Sequence, residues 1–465
     1  MSGGAVAASA PAASGGRAER VIARAVDRRR AERKAELDRL TSREDYLPEL
    51  EYFVSLYEED PGLEAIGKRT GKRPCAILCL QAPIEIFWAQ GFSPVKIYSG
   101  SFAQVNLTSP RLPALMCPLI KAVLGELETD PSLASAPWVV PLTCDWVVKF
   151  KEARGLFGEL DGPVHMLEVP RVKEGPRARA RWLSEIRELS GFLKATGGKA
   201  LKRPELLAAV NRMEEARKAF AALNSLRRRG MFPAVWAAFI AGAFFLDAPE
   251  RWTEGLAKAV EAFAACGSAG GRAPRREDSG GAGAVGGDTG GEAEGAAGGK
   301  AQDGNGSVGR GEARPDGVFL TGAPVFFPNY KVLHLMEEAG LRCLGDDMCS
   351  SERLFPRHVE LSDTSVEGML AALAEAYHRG CLCPVFAESE RRAAIIREAA
   401  DTGDVKGVVF HLLKGCHPYE LDSFPLEEKL AGWGLKYLKI ETDYSSEDSR
   451  NLLTRLEAFR PTLGV

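Results

Sequence analysis

Short, continuous apolar runs separated by helical stretches occur in two blocks of this chain, and that rhythm constrains the fold more than any other feature. In the first block, residues 75–80, 95–98, 138–142 and 164–169 read as strands, with helices over 84–90 and 118–127. In the second, 317–321, 342–345, 407–412 and 435–440 read as strands, with a further short strand near Cys383. Helices are expected there over 330–339, 366–379, 388–399, 427–434 and 446–459. Strands that are apolar throughout are buried on both faces, the pattern of a parallel sheet covered by crossover helices. The expectation is an α/β protein of two Rossmann- or flavodoxin-like parallel-sheet lobes, 71–175 and 317–465. Functional residues in such lobes lie beyond the carboxyl ends of the strands.

The remaining segments read differently. Residues 1–70 comprise a low-complexity disordered tail and N-terminal helices. The Arg-rich stretch 17–33 also carries Glu19, Asp27 and Glu32, so it reads as a solvated helix rather than a transit peptide. Residues 176–265 show the 3.6-residue period of long helices, and the basic face at 177–181 reads as solvated. Residues 231–246 are almost wholly apolar but fall short of the ~20 residues of a membrane span, and Pro233 and Asp247 bound them. They read as a buried core helix, so no membrane is expected. Residues 266–316, and 268–311 above all, are Gly- and Ala-rich with almost no large apolar side chain, the composition of a flexible insertion. A net charge of −3 argues against a general nucleic-acid partner. The chain starts without an apolar leader, and its ten cysteines are too sparse for a disulfide scaffold. A cytoplasmic protein with reduced thiols is the expectation.

Three cysteines, Cys117, Cys144 and Cys416, each end an apolar run, in Met-Cys-Pro, Thr-Cys-Asp and Gly-Cys-His. They are too far apart for a local zinc knuckle, so any shared site must be assembled by tertiary structure. At strand ends beside helix N-termini the thiolate form is favoured, because backbone N–H groups there point at negative charge. Cys75 and Cys343 read as small core residues and Cys266 as no ligand. His165 and His411, on apolar strands, read as core histidines. Glu85 reads either as a functional acid or as a helix-capping carboxylate. No glycine arrangement forms a phosphate loop.

Several ordered motifs carry a resemblance. The first lobe has Ala82-Pro-Ile-Glu-Ile-Phe-Trp-Ala-Gln-Gly91, Leu115-Met-Cys-Pro-Leu-Ile-Lys121, Thr143-Cys-Asp145 and Pro163-Val-His-Met-Leu-Glu-Val-Pro170. The second has Leu320-Thr-Gly-Ala-Pro324, Asp346-Asp-Met-Cys349 with Arg353, and Gly380-Cys-Leu-Cys-Pro384. Lys414-Gly-Cys-His417 and Ile440-Glu-Thr-Asp-Tyr-Ser445 follow. Together they resemble the 2-hydroxyacyl-CoA dehydratase / benzoyl-CoA reductase superfamily, and within it the double-cubane-cluster anaerobic reductases.

The resemblance implies that Cys117, Cys144 and Cys416 are the three protein ligands of a [4Fe–4S] cluster, with one iron left open. It implies that Cys349, Cys383 and Cys79 are further ligands, which in the double-cubane branch hold a second cubane of an [8Fe–9S] cluster. Cys381 competes with Cys383 for that role. The chain has Ala323 where that branch often has a cysteine, which favours a single cluster if that cysteine is a ligand. Glu85 matches an acidic residue near the substrate. The implied partners are a separate ATP-hydrolysing iron–sulfur activator, a second copy or a related subunit, and an acyl-CoA or small-molecule substrate. The function implied is a low-potential iron–sulfur reductase component; the alternatives are a dehydratase or benzoyl-CoA reductase subunit, and a non-catalytic cluster or zinc scaffold.

Overall fold

The computed structural model describes residues 15–58, 62–150, 152, 155, 161–268, 316–355, 358–386, 390–402 and 404–464. Residues 1–14 of the low-complexity tail and 269–315 of the Gly-rich insertion lie outside the described residues.

Two four-stranded sheets, parallel throughout, form the lobes. The first contains β1 (Arg73–Ile77), β2 (Phe92–Lys96), β3 (Trp138–Leu142) and β4 (Val164–Glu168), in the order β2-β1-β3-β4. The second contains β5 (Asp316–Gly322), β6 (Leu341–Asp346), β7 (Val405–Leu413) and β8 (Lys436–Thr442), in the order β6-β5-β7-β8. The expected α/β fold of two parallel-sheet lobes is therefore present, and the two lobes repeat one strand order. Each sheet reverses direction between its first and third strands, β1 and β3 or β5 and β7. At such a point neighbouring connections run to opposite faces and leave a crevice outside the carboxyl ends.

The helical middle packs the lobes together. Helix Ala234–Ala243 is buried on nearly every side, as its uniformly apolar sequence requires. Trp252 lies 4.9 Å from Phe244 and 5.3 Å from Phe355, ring centroid to centroid. Phe355 also meets Phe220 at 4.5 Å. One apolar core runs through this cluster and includes side chains of both sheets, among them Ile77, Val139, Val318 and Val409.

Three local expectations are corrected. The Arg-rich N-terminal segment is a helix, Gly15–Thr41, but it is not simply solvated. Its Glu32 accepts from Ser101 Oγ (2.6 Å) and Ala103 N–H (2.9 Å), and Arg29 pairs with Glu126, all in the first lobe. Its Glu36 meets His334 Nε2 at 2.7 Å and Arg33 lies over the Phe327 ring, both in the second. The helix thus straps the lobes together through buried, paired charges. The helix expected over 427–434 begins at His417 and runs to Gly432, passing through Pro425. Around Cys383 the chain is irregular, with no strand.

Candidate metal centre

Cys117, Cys144 and Cys416 each occupy the residue just before a helix: Pro118–Thr129, Asp145–Val148 and His417–Gly432. Pro118 and Pro418 sit at first-turn positions, where a missing N–H costs nothing. The helices aim backbone N–H groups at the sulfurs: Leu119 and Ile120 at Cys117, Trp146 and Val147 at Cys144, Tyr419 at Cys416. Gly415 brings the lobes into contact here. It has φ of +73°, and a Cβ at this position would lie 2.0 Å from the Leu115 carbonyl oxygen, so glycine is needed for both conformation and space. Trp146 Nε1 donates to the Gly415 carbonyl at 3.3 Å.

Cys117 and Cys416 are hydrogen-bonded to one another, and Cys144 is close enough to both for their charges to interact. The bonded pair gives up one proton readily and holds the second. The Cys416 thiol stabilises a Cys117 thiolate, lowering the Cys117 pKa, and the same bond with burial pushes Cys416 well up. The three cysteines from both lobes are thus brought together.

Four more thiols form a second group. Cys79 follows β1 and Cys349 follows β6; Cys381 and Cys383 lie in the loop after helix Val366–Arg379. Cys79 is near Cys349 and Cys381, and Cys383 is near Cys381 and Cys79. Gln81 Nε2 donates to Cys381 Sγ at 2.6 Å, and the same sulfur accepts the Cys383 N–H at 3.4 Å. Cys381 and Cys383 are therefore neighbours in one group. Burial pushes the Cys79 thiol up to about 12 and raises Cys381 and Cys383. Two partly buried cations lie beside this group. Lys96 donates to the Cys349 carbonyl at 2.8 Å with its charge near Cys349 and Cys79. Arg353, bonded to Tyr419, has its charge near Cys349 and Cys383.

The two groups share one space. Tyr98 is close enough to Cys144, Cys79, Cys349 and Cys383 for their charges to interact, as Tyr444 is to Cys117 and Cys349. Lys96 and Tyr98 also line a cavity of about 340 Å³ between the N-terminal helix and both lobes.

The other sequence candidates lie apart. Cys75 is core, and Cys343 on β6 is held by Arg227, whose Nη2 donates to its sulfur at 3.0 Å. His411 is a satisfied core histidine, bonded to the Ala323 carbonyl and Thr442 Oγ1, both at 2.7 Å. His165 is only partly buried, stacked on Phe192. Glu85 is fully buried and its Oε2 accepts from Tyr377 at 2.8 Å. Burial raises its pKa to about 7. Sequence reasoning overlooked Lys96 and Tyr98, although the strand-end rule that selected the cysteines also covers the end of β2.

The donor set suits an iron–sulfur cluster better than a single ion. Among the described residues, no three His, Cys, Asp or Glu side chains converge tightly enough to hold one metal ion. A tetrahedral zinc site needs that convergence, whereas in a cubane each thiolate binds its own iron. Clustered thiols, backbone N–H donors and two partly buried cations match an anionic cluster. Among the described residues, Arg353 Nε and the Tyr444 hydroxyl, both near the cysteines, are buried atoms without a hydrogen-bond partner, which leaves each free to donate to a bound group.

The family model described as "2-hydroxyglutaryl-CoA dehydratase, D-component" matches residues 79–463. The chain belongs to this family. It is 26% identical over 387 residues to a protein named as a dehydratase subunit, YjiM, of Escherichia coli, covering 82% of this chain and 89% of that one. It is 20% identical over 420 residues to the beta subunit of (R)-2-hydroxyglutaryl-CoA dehydratase from Acidaminococcus fermentans, covering 89% of this chain and 98% of that one. A shorter match, 24% over 132 residues, is to the (R)-phenyllactyl-CoA dehydratase beta subunit of Clostridium sporogenes, with 28% and 34% covered. Among the described residues, no helix is long and apolar enough to cross a membrane.

Proposed function

We propose that this chain is a cytoplasmic low-potential iron–sulfur reductase component that receives single electrons from a separate ATP-hydrolysing iron–sulfur activator. The observation that carries the reading is the gathering of seven thiols from both lobes into two neighbouring groups, Cys117, Cys144 and Cys416 beside Cys79, Cys349, Cys381 and Cys383. The first three would hold a [4Fe–4S] cluster. The other four are the thiols available to a second cubane, making a double-cubane [8Fe–9S] cluster. Cys381 offers a fourth thiol to that group in place of the one that Ala323 lacks. When bound, such a cluster would supply single electrons, with three protein thiolates leaving one iron of that cubane for a non-protein ligand such as a bridging sulfide.

The chain's own residues do the rest. Helix N-terminal N–H groups and the Lys96 and Arg353 charges offset the negative charge that accumulates on reduction. ATP is needed because raising one electron by about 0.3 V costs about 7 kcal/mol, at 59 mV per tenfold.

A second reading, a subunit of a 2-hydroxyacyl-CoA dehydratase or benzoyl-CoA reductase, is favoured by the near-full-length likeness to a dehydratase beta subunit. On that reading the substrate is an acyl-CoA and the chain pairs with a related subunit rather than a second copy. Turnover with activator and ATP omitted in turn tests the proposal. Activity should vanish with either omission and in air; full activity with a nicotinamide donor alone would overturn it. A 2-hydroxyacyl-CoA dehydrated without net reduction would select the second reading.

A further inference from the structure

Two tyrosines, one from each lobe, lie beside the thiol groups. Tyr98 lies just beyond the carboxyl end of β2 and Tyr444 just beyond that of β8. Tyr444 packs in one apolar cluster with Cys117, against which Cys416 also lies, and Tyr98 and Cys144 pack against a common cluster in the first lobe. Tyr444 is only 8% exposed, yet among the described residues its hydroxyl has no hydrogen-bond partner. Buried tyrosines ordinarily find one. The backbone around it is fixed rather than loose. Asn329 Nδ2 donates to the Tyr444 carbonyl at 3.2 Å, and Asp443 accepts the Ser445 N–H at 2.9 Å and its hydroxyl at 2.7 Å. Tyr98 is packed between the Lys96 ammonium, 4.9 Å from its ring, and the Phe326 ring at 4.8 Å. Tyr419, the third tyrosine near the cysteines, differs: Arg353 already donates to its hydroxyl.

We propose that Tyr444, with Tyr98 opposite it, donates a hydrogen bond to the inorganic group held by the cysteines and so sets its reduction potential. The proposal rests on the iron–sulfur reading above. Reduction adds negative charge to the acceptor, and a hydrogen bond to a charged acceptor is stronger than one to a neutral acceptor. The donors therefore favour the reduced state and raise the potential, as hydrogen bonds to cluster sulfurs do. Neither phenol need lose its proton, so the effect does not depend on titration of the ring.

The test uses full-length protein purified without oxygen, carrying Tyr444→Phe, Tyr98→Phe or, as control, Tyr437→Phe. The Tyr437 hydroxyl is engaged elsewhere, 3.5 Å from the Ser423 carbonyl. Iron and sulfide per chain are measured first, then the midpoint potential by a redox titration followed by electron paramagnetic resonance. Tyr444→Phe and Tyr98→Phe should keep the parent's iron and shift the potential to more negative values, while Tyr437→Phe leaves it unchanged. Full iron with potentials matching the Tyr437→Phe control would overturn the proposal, as would loss of iron from both variants, which would mark the two rings as structural. Absence of iron from the parent would instead overturn the cluster reading itself, so the two failures are distinguishable.

Discussion

Replacing Glu85 with glutamine tests what the buried carboxyl does to the stability of the fold. Tyr377 donates to one carboxyl oxygen at 2.8 Å, and the other, Oε1, is buried with no partner. Burial, opposed by the Glu85 N–H and by Tyr377, raises the pKa from 4.5 to about 7. A carboxyl whose folded pKa is raised binds its proton more tightly in the folded chain. Its effect on stability is therefore absent at low pH and becomes a penalty as pH climbs from 4.5 through 7. At 1.36 kcal/mol per unit, that penalty levels off at about 3 kcal/mol above pH 8. Glutamine keeps an oxygen for Tyr377 and carries no charge. Urea unfolding of parent and Glu85→Gln at pH 5 and pH 8 reads the effect. Relative to the parent, the variant should gain about 2 kcal/mol or more between the two pH values. The same gap at both would refute the reasoning and return Glu85 to an ordinary helix-terminal carboxylate.

Other outcomes follow from the two thiol groups and the packing beneath them. Cys144→Ser should sharply lower iron content, because a hydroxyl poorly replaces a thiolate at iron; Cys343→Ser, away from both groups, should leave it nearly unchanged. Cys381→Ser should lower iron while sparing the Cys117 group; metal analysis with spectroscopy distinguishes a partial loss from a complete one. Arg227→Ala should cost about 3–5 kcal/mol in urea unfolding by leaving a buried charge unpaired, since Arg227 Nη1 meets Asp346 at 2.5 Å with both side chains buried.

Much of the fold was legible because burial and periodicity are local. The run Trp138–Leu142 is apolar throughout and forms β3 over those same residues. Helix Val366–Arg379 likewise has the expected bounds. Helix His417–Gly432 was misread for two physical reasons. Pro425 is a residue that helix interiors ordinarily exclude, and Leu421 and Phe424 are exposed, 72% and 60%, so the inward apolar stripe is faint. The strap formed by Gly15–Thr41 was hidden because its buried face is partly charged, and only distant partners such as Ser101 and His334 make that burial tolerable. At the candidate site, strand ends pointed to Cys144, Cys349 and Cys416. The pairing of Cys117 with Cys416, of Gln81 with Cys381 and of Glu85 with Tyr377 joins residues from different lobes. Nothing local in the sequence encodes those distances.

The central claim is that the two thiol groups hold iron and sulfide. Anaerobic purification of the full chain, followed by determination of iron, acid-labile sulfide and zinc, tests it most directly. The account predicts about eight irons per chain, as two four-iron cubanes require, with a comparable amount of sulfide and no stoichiometric zinc. A chain that binds no iron and sulfide, or that carries one zinc in their place, would contradict it.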